Sequence, residues 1–312
     1  MLSGILCVDK PRGMTSHDVV AAVRRMTGIR AVGHTGTLDP DASGMLLLCL
    51  GRATKFARFF EGLDKTYWTV MQLGICTDTQ DATGRVLHRR HVPSFSLTQL
   101  QEVLYQFTGH LQQTPPMYSA VKYQGKRLYH LARRGLTVTR QARDIVVHRL
   151  RLLEMRGVWI TLSVTCSKGT YIRTLCEDIG LALGCGAHMA HLQRCQVGPF
   201  HLKQAYTLDF MRQKTIRDHF EATLIPLAHA LDFLPALSLT LEQYDALQSG
   251  QGSGREGTAI LDVMPQLSQQ TSSYRLRTQP EGTFAVIHRQ RATPTKWKVS
   301  YLKTPPSSYQ RL

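Results

Sequence analysis

The sequence predicts an α+β chain made of one large domain and one small β-rich module. Three observations carry that expectation. Short runs rich in apolar, β-branched and aromatic residues read as strands, among them 45–50, 66–73, 145–153 and 159–166. Between them lie stretches with one apolar helical face and a capping residue at the start. Around Pro226 to Pro235 the pattern loosens and then turns β-rich, and 312 residues suit one large domain plus one small one. The expected boundaries are 1–235 for the large domain, 236–304 for the module and 305–312 for a disordered tail.

In chain order, 5–8 is a short apolar strand, and Asp9-Lys-Pro-Arg-Gly13 turns the chain. Thr15 or Ser16 caps a helix carrying Val19, Val20, Val23 and Met26. The loop 33–44 feeds the strand 45–50, and 78–84 is a polar turn after the strand 66–73. Ser96-Leu-Thr-Gln99 is a capping-box pattern, followed by Leu100, Val103, Leu104 and Phe107 on one helical face and by Gly109 as a stop. A Pro-containing loop, 114–120, precedes a basic helix from about 126 to 134. The runs 145–153 and 159–166 read as two strands able to pair. A turn at 167–170 leads into a helix with Ile172, Leu175, Cys176, Ile179 and Leu183 on its apolar side, broken at 184–186. The run 195–200 reads as a strand and Leu208 starts another helical stretch. In the module, 240–247 is a short helix, 250–257 a Gly/Ser loop, and 258–261, 283–288 and 297–303 are strands.

Composition narrows the function. The net charge is +16 and the pI about 9.8, so a polyanionic partner is expected. Ten Lys or Arg lie between Lys122 and Arg156 against only Asp144 and Glu154, more than a solvated face requires. No apolar run approaches the roughly 18 residues of a membrane span, and Met1 to Lys10 lacks the pattern of an export signal. The seven cysteines include no C-x-x-C pair, which reads as a reduced, cytoplasmic protein. His188 and His191 have no third ligand nearby in sequence, so no metal is expected. Gly252-Ser-Gly-Arg-Glu-Gly257 matches a dinucleotide fingerprint literally, but it follows a helix and precedes a strand, the reverse of the required context.

The most informative stretch is Gly33-His-Thr-Gly-Thr-Leu-Asp39-Pro-Asp-Ala-Ser-Gly44. Its glycines allow positive φ or a close backbone approach, and Pro40 biases Asp39 away from the α region. Asp39 is therefore a carboxylate on a stiff loop before a buried strand. Taken alone, it reads as an ordinary Asx turn. Two distant segments change that reading: Lys65-Thr-Tyr67 and Cys166-Ser-Lys-Gly-Thr-Tyr171-Ile-Arg173. With Asp9-Lys-Pro-Arg-Gly-Met-Thr-Ser16, Pro116-Met-Tyr-Ser-Ala-Val-Lys122 and Gly184-Cys-Gly-Ala-His188, they closely resemble the TruB family of tRNA pseudouridine synthases, which modify uridine 55 in the T loop. The resemblance runs from about residue 4 to 235.

That resemblance implies a mixed, mostly antiparallel sheet flanked by helices, a basic cleft for RNA, and a small PUA-like RNA-binding module. It implies cleavage of the N1–C1′ bond of a uridine and reattachment through C5, with no cofactor. Asp39 matches the catalytic aspartate, acting as nucleophile or base at C1′ or C2′. Arg173 matches the arginine paired with it. Tyr67 matches the tyrosine stacked on the uracil, which also has a place in removing the C5 proton. Tyr171 and Leu192 match residues lining the uridine pocket. His34 matches the histidine that meets the T loop where the base has left its stack. Lys10, Lys122 and Lys168 are expected phosphate contacts. Without the motifs, Arg173 reads as a solvent-facing residue of a helix's first turn, and Tyr67 and Leu192 as plain core. Asp78 and Asp81 read as turn or supporting residues.

The partner expected is the T arm of tRNA, met by a monomer without a guide RNA, since the guide-dependent relatives carry long basic extensions. A competing reading is an RNA-binding or RNA-folding chaperone on the same scaffold, with or without catalysis. The intact set of Asp39, Tyr67 and Arg173 argues against binding as the sole role.

Overall fold

The computed structural model describes residues 2–213, 219–240, 243, 272–278, 282–289 and 297–301. The helix expected at 240–247, the Gly/Ser loop with its false fingerprint, the strand at 258–261 and the tail therefore lie outside the described residues, apart from Thr240 and Gln243. The chain divides into two compact units. One comprises residues 7–48 and 56–220, and the other the described parts of 1–6, 49–55 and 221–312.

The elements of the larger part follow from local signals. Strand β1 (Gly4–Lys10) is almost wholly buried. Helix α1 (Ser16–Thr27) starts at Thr15, whose side chain accepts from the Asp18 amide while Asp18 answers to the Thr15 amide. It ends at Gly28 in the left-handed region. Strands β2 (Val32–His34) and β3 (Ser43–Leu50) bracket the Asp39 loop, and the short α2 (Ala57–Glu61) leads into β4 (Lys65–Leu73). β4 alternates buried and more open residues with period two, as a strand covered on one face should. The hairpin β5 (Ile75–Thr77) and β6 (Val86–Arg89) frames the polar turn at 78–84. Helix α3 (Leu97–Gln106) has the expected capping box between Ser96 and Gln99. After β7 (Gly109–Gln113) comes the exposed hairpin β8 (Lys122–Tyr123) and β9 (Lys126–Arg127). The basic helix expected over 126–134 is thus shorter, α4 (Leu128–Ala132), because its first two residues pair as β9.

Strands β10 (Arg143–Arg156) and β11 (Trp159–Cys166) pair antiparallel along their length. Helix α5 (Ile172–Ala182) follows the turn at 167–170, and β12 (Ala187–Val197) returns through the sheet. The strand expected at 195–200 is in fact the end of β12, a turn at Gly198 and Pro199, and the two-residue β13 (Phe200–His201). β14 (Tyr206–Thr207) and α6 (Leu208–Arg212) complete this part.

The main sheet has the order β14-β1-β3-β12-β4-β11-β10-β7, with β13 on β12 and β2 on β3. It is mixed. β12 runs parallel to β3, while the pairs from β12 through β4, β11 and β10 to β7 are all antiparallel. The sheet's Met71, Ile160, Leu162 and Val164 share one buried cluster with Leu175, Cys176 and Ile179 of α5 and Leu100 and Leu104 of α3. This is the α+β architecture expected.

In the other unit, Ile5 and Ile225 exchange backbone hydrogen bonds of 2.9 and 2.8 Å. The helical turn α7 (Leu227–Ala230) precedes a four-stranded sheet in the order β15 (Ala236–Ser238), β16 (Ser273–Thr278), β17 (Gly282–Arg289), β18 (Trp297–Tyr301). Tyr274, Leu276, Ala285, Val286 and Ile287 are buried in it. β17 and β18 match expected strands; β15 and β16 were not anticipated.

Candidate active site

Asp39 sits on a loop braced from outside its own sequence. The Ser16 hydroxyl accepts from the Leu38 amide at 2.8 Å, and the Gly13 amide donates to the Pro40 carbonyl at 2.9 Å. The Asp39 carbonyl accepts from the Ala42 amide at 3.1 Å, so its backbone makes the turn and its side chain is free for other work. Of the loop's glycines only Gly44 needs its freedom. It has φ +100°, and a Cβ there would overlap the backbone of Arg194.

The side chain of Asp39 meets Arg173. Arg173 Nε lies 3.0 Å from Asp39 Oδ2, and Nη2 donates to Oδ1 at 3.4 Å. The guanidinium is 6% exposed and the carboxylate 38%, so the pair presents its carboxylate to the cleft and keeps its cation behind. The other donors of Arg173 go to the carbonyls of Thr79, at 3.0 Å, and Tyr118, at 2.8 Å, and Asp81 Oδ2 is 3.8 Å from Nε. Arg173 is thus not the solvent-facing residue that its place in a helix's first turn suggests. The start of α5 is held by Gln113, whose side-chain oxygen accepts from the Tyr171 amide at 2.8 Å and whose amide nitrogen donates to the Tyr171 carbonyl at 3.0 Å.

The carboxylate opens onto a cleft of about 200 Å³ lined by Arg12, Asp41, Asp81, Met189 and Leu192, among others. Desolvation in the cleft raises the Asp39 carboxyl above its ordinary value of 3.8; the charge of Arg173 opposes the rise, Asp81 adds to it and Lys10 opposes it. A half-exposed acid forked on a buried cation is oriented and charged by its partner, which is what nucleophilic or basic attack on a bound ring requires.

The TruB family pseudouridylate synthase N-terminal domain matches residues 24–172, and the tRNA pseudouridylate synthase B C-terminal domain matches residues 173–232. The chain is 48% identical over 242 residues to a tRNA pseudouridine synthase B of Stutzerimonas stutzeri (strain A1501), covering 77% of this chain and 79% of that one. It is 43% identical over 256 residues to one of Geobacillus thermodenitrificans (strain NG80-2), covering 80% and 85%.

The chain belongs to the TruB family of pseudouridylate synthases.

It is accordingly an isomerase with the pseudouridine synthase fold. A solved structure agrees: a chain of a Cbf5-Nop10-Gar1 complex superposes with a TM-score of 0.68 at 26% identity, over 96% of this chain and 82% of that one.

The remaining expected residues of this TruB-family chain differ in their burial. Leu192 lines the cleft beside Asp39 and packs in one cluster with Leu38, Ala42 and Tyr67. Tyr67 is 8% exposed; burial raises its phenol above the ordinary 10, with the nearby Arg194 opposing. Tyr171 is half-buried at the start of α5, its phenol also raised by burial. His34 is half-buried, and its Nδ1 is enclosed without a hydrogen-bond partner. Burial, then Arg194 and His17, lower its pKa, so the ring is neutral at neutral pH. Lys122 and Lys168 are exposed, on a hairpin and a turn.

Lys10 is a correction. It is fully buried, and its ammonium donates to the carbonyls of Pro11 at 2.8 Å, Met14 at 2.6 Å and Pro40 at 3.1 Å. All three of its protons are used inside the protein, so it braces the Asp39 loop and is not available to a phosphate. Burial brings it down to about 8. His188 and His191 also part company: His188 is buried with Nδ1 3.1 Å from the Ile75 carbonyl, and His191 is exposed near Arg12.

Sequence reasoning missed Arg194. It is 2% exposed on β12 and donates to the carbonyls of Met45 at 2.7 Å, Gly36 at 3.0 Å and Thr37 at 3.4 Å. The available signal was its spacing, two residues past Leu192, which puts it on the same side of a strand.

Proposed function

We propose that this protein converts uridine 55 in the T loop of tRNA to pseudouridine, with Asp39 as its catalytic carboxylate. The observation that carries the reading is the Asp39–Arg173 fork at the mouth of a cleft lined by Leu192. Family membership supports the reaction type, and the names of the relatives support tRNA as substrate. In the reaction the N1–C1′ bond breaks and a C5–C1′ bond forms. C5 loses a proton and N1 gains one, so the product is an isomer and no redox or group-donating cofactor is called for. An ionised Asp39 serves both routes open to it, attack at C1′ or proton removal at C2′.

The other residues take supporting roles. Tyr67 offers a ring face to the uracil; its raised phenol keeps its proton at neutral pH and does not begin the cycle as a base. Tyr171 and Leu192 close on the uridine. A base stacked inside a T loop cannot present C1′ to a carboxylate, so it must be extruded, at a cost of about a few kcal/mol. A neutral, half-buried His34 ring suits filling the vacated stack better than pairing with a phosphate. Of the ten cations between Lys122 and Arg156 all but Arg140 are exposed, so the segment is free to meet the RNA backbone.

Identity of 43–48% to proteins named tRNA pseudouridine synthase B, against 26% to the Cbf5-complex chain, favours action without a guide RNA. We read the protein as a monomer and as cytoplasmic. All seven cysteines are free, and among the described residues no helix is long and apolar enough to cross a membrane.

The deciding experiment is incubation with an unmodified T-arm stem-loop, without cofactor or guide, followed by nucleoside analysis. Pseudouridine at position 55 is expected; a stem-loop bound but left unconverted would favour the chaperone reading. Binding should also weaken steeply with salt. Each phosphate neutralised contributes a slope of about −0.7 to −0.9 in log K against log salt. A flat plot would mean that the exposed Lys122–Arg156 cations are only a solvated surface.

A further inference from the structure

Arg194 stands at an unusual junction of the sheet. In register it pairs with Gly44 of β3 on one side and with Tyr67 of β4 on the other. Its guanidinium turns back over the same two neighbours. Its donors reach the carbonyls of Gly36 and Thr37, inside the loop that carries Asp39, and of Met45, early in β3 after that loop. The Tyr67 phenol lies against it. Both ends of the Asp39 loop and the aromatic ring of the uridine site are therefore referred to one side chain.

The environment of this cation is unusual too. It is 2% exposed, and among the described residues no carboxylate lies within ion-pair distance of it. A buried cation held by neutral acceptors alone is a poor device for stability, because desolvation opposes it and an apolar side chain of similar volume often does as well. A planar fork with five donors is instead suited to fixing several acceptors in one geometry. Lysine in the same place presents three donors from a single point and cannot span carbonyls on both ends of a loop together with a phenol.

We infer that Arg194 is a positioning residue, which sets the distance and angle between the Asp39 loop and the Tyr67 ring so that carboxylate and uracil face meet the same uridine. The inference rests on the reading of Asp39 as catalytic and Tyr67 as substrate-facing. It explains why Gly44 has no side chain: the loop has to close onto the Arg194 backbone for the fork to reach Gly36 and Thr37.

The test compares Arg194→Lys, Tyr67→Phe and their combination in single-turnover conversion of an unmodified T-arm stem-loop, with RNA affinity and melting temperature measured on each. Arg194→Lys should slow conversion about 100-fold, the scale of a misplacement near 1 Å. Affinity should hold, because phosphate contacts dominate it. The combined variant should lose much less than the product of the single losses, because both substitutions disturb one unit. Multiplicative losses, or an unchanged Arg194→Lys rate, overturn the inference. Should Arg194→Lys fail to fold, the guanidinium can be observed directly. In Tyr67→Phe, which keeps the ring, the Arg194 side-chain nitrogen resonance should shift, and an unmoved resonance overturns the inference. Asp39→Asn is run beside them. If it is inactive while Arg194→Lys is normal, only the positioning role falls; if it is active, the reading of Asp39 itself falls.

Discussion

Asp39→Asn is expected to remove turnover, by on the order of 10⁴-fold as for other groups that take part directly in bond breaking, while the protein still binds the T arm. Asparagine keeps the shape and leaves Arg173 in place, but it has no charge to attack C1′ or to take a proton from C2′. Affinity should survive because it comes from phosphate contacts spread over the basic surface. Conversion and binding are measured on one preparation, by nucleoside analysis after a single turnover and by titration with labelled stem-loop. Conversion near the wild-type rate would exclude Asp39 as the reacting group. The pH dependence adds a second check. Reaction requires the ionised carboxylate, and the folded protein raises the Asp39 pKa above 3.8. The acid limb of the rate profile should therefore lie above the ordinary aspartate range, with activity lost as the pH falls through it.

Arg173→Lys is expected to have the next largest effect, a fall of about 100- to 1,000-fold, the range seen when one preorganised donor at a reacting group is removed. The charge is retained, so the result reports geometry. Arg173 reaches both oxygens of Asp39 and two carbonyls from separate loops, those of Thr79 and Tyr118. An ammonium cannot make those contacts together. Arg173→Met removes the charge as well. The groups left around Asp39 then favour protonation more strongly, through burial and Asp81, with only Lys10 opposing. The acid limb should move to higher pH than in the wild type, and part of the lost rate should return as the pH rises. An acid limb that stays in place would show that Arg173 does not hold Asp39 in its ionised form. Breaking a buried pair is destabilising, so melting temperatures are needed to confirm that each variant is folded at the assay temperature.

Much of the site was legible because its motifs are long and ordered along the chain. Asp39 and Leu192 line one cleft with Arg173 paired behind Asp39, and Tyr67 packs in the same buried cluster as Leu192. Two residues show where such reading stops. Lys10 closes β1 between Asp9 and Pro11, in a segment that reads from sequence as a turn, where a lysine is usually solvated; nothing near it in sequence announces that the Pro40 carbonyl, thirty positions on, will accept one of its protons. Arg194 was passed over because β12 was not recognised beyond its C-terminal end. Its residues mix polar and apolar types, and two shifts of register, between Met189 and His191 and between Arg194 and Gln196, break the period of two that marks a strand.

The sequence by itself determined the elements with short-range causes. The helix start at Thr15, the Ser96 capping box, the turns at 78–84 and 167–170 and most of the main strands follow from neighbours within a few positions. The tertiary structure alone decided which charges are buried and what they hold. Arg173 is 134 positions from Asp39, and Arg194 is 158 from Gly36. Local periodicity and capping carry no information over such separations. Whether a lysine or arginine faces water or a carbonyl depends on which backbone the completed sheet brings against it, and only the fold supplies that.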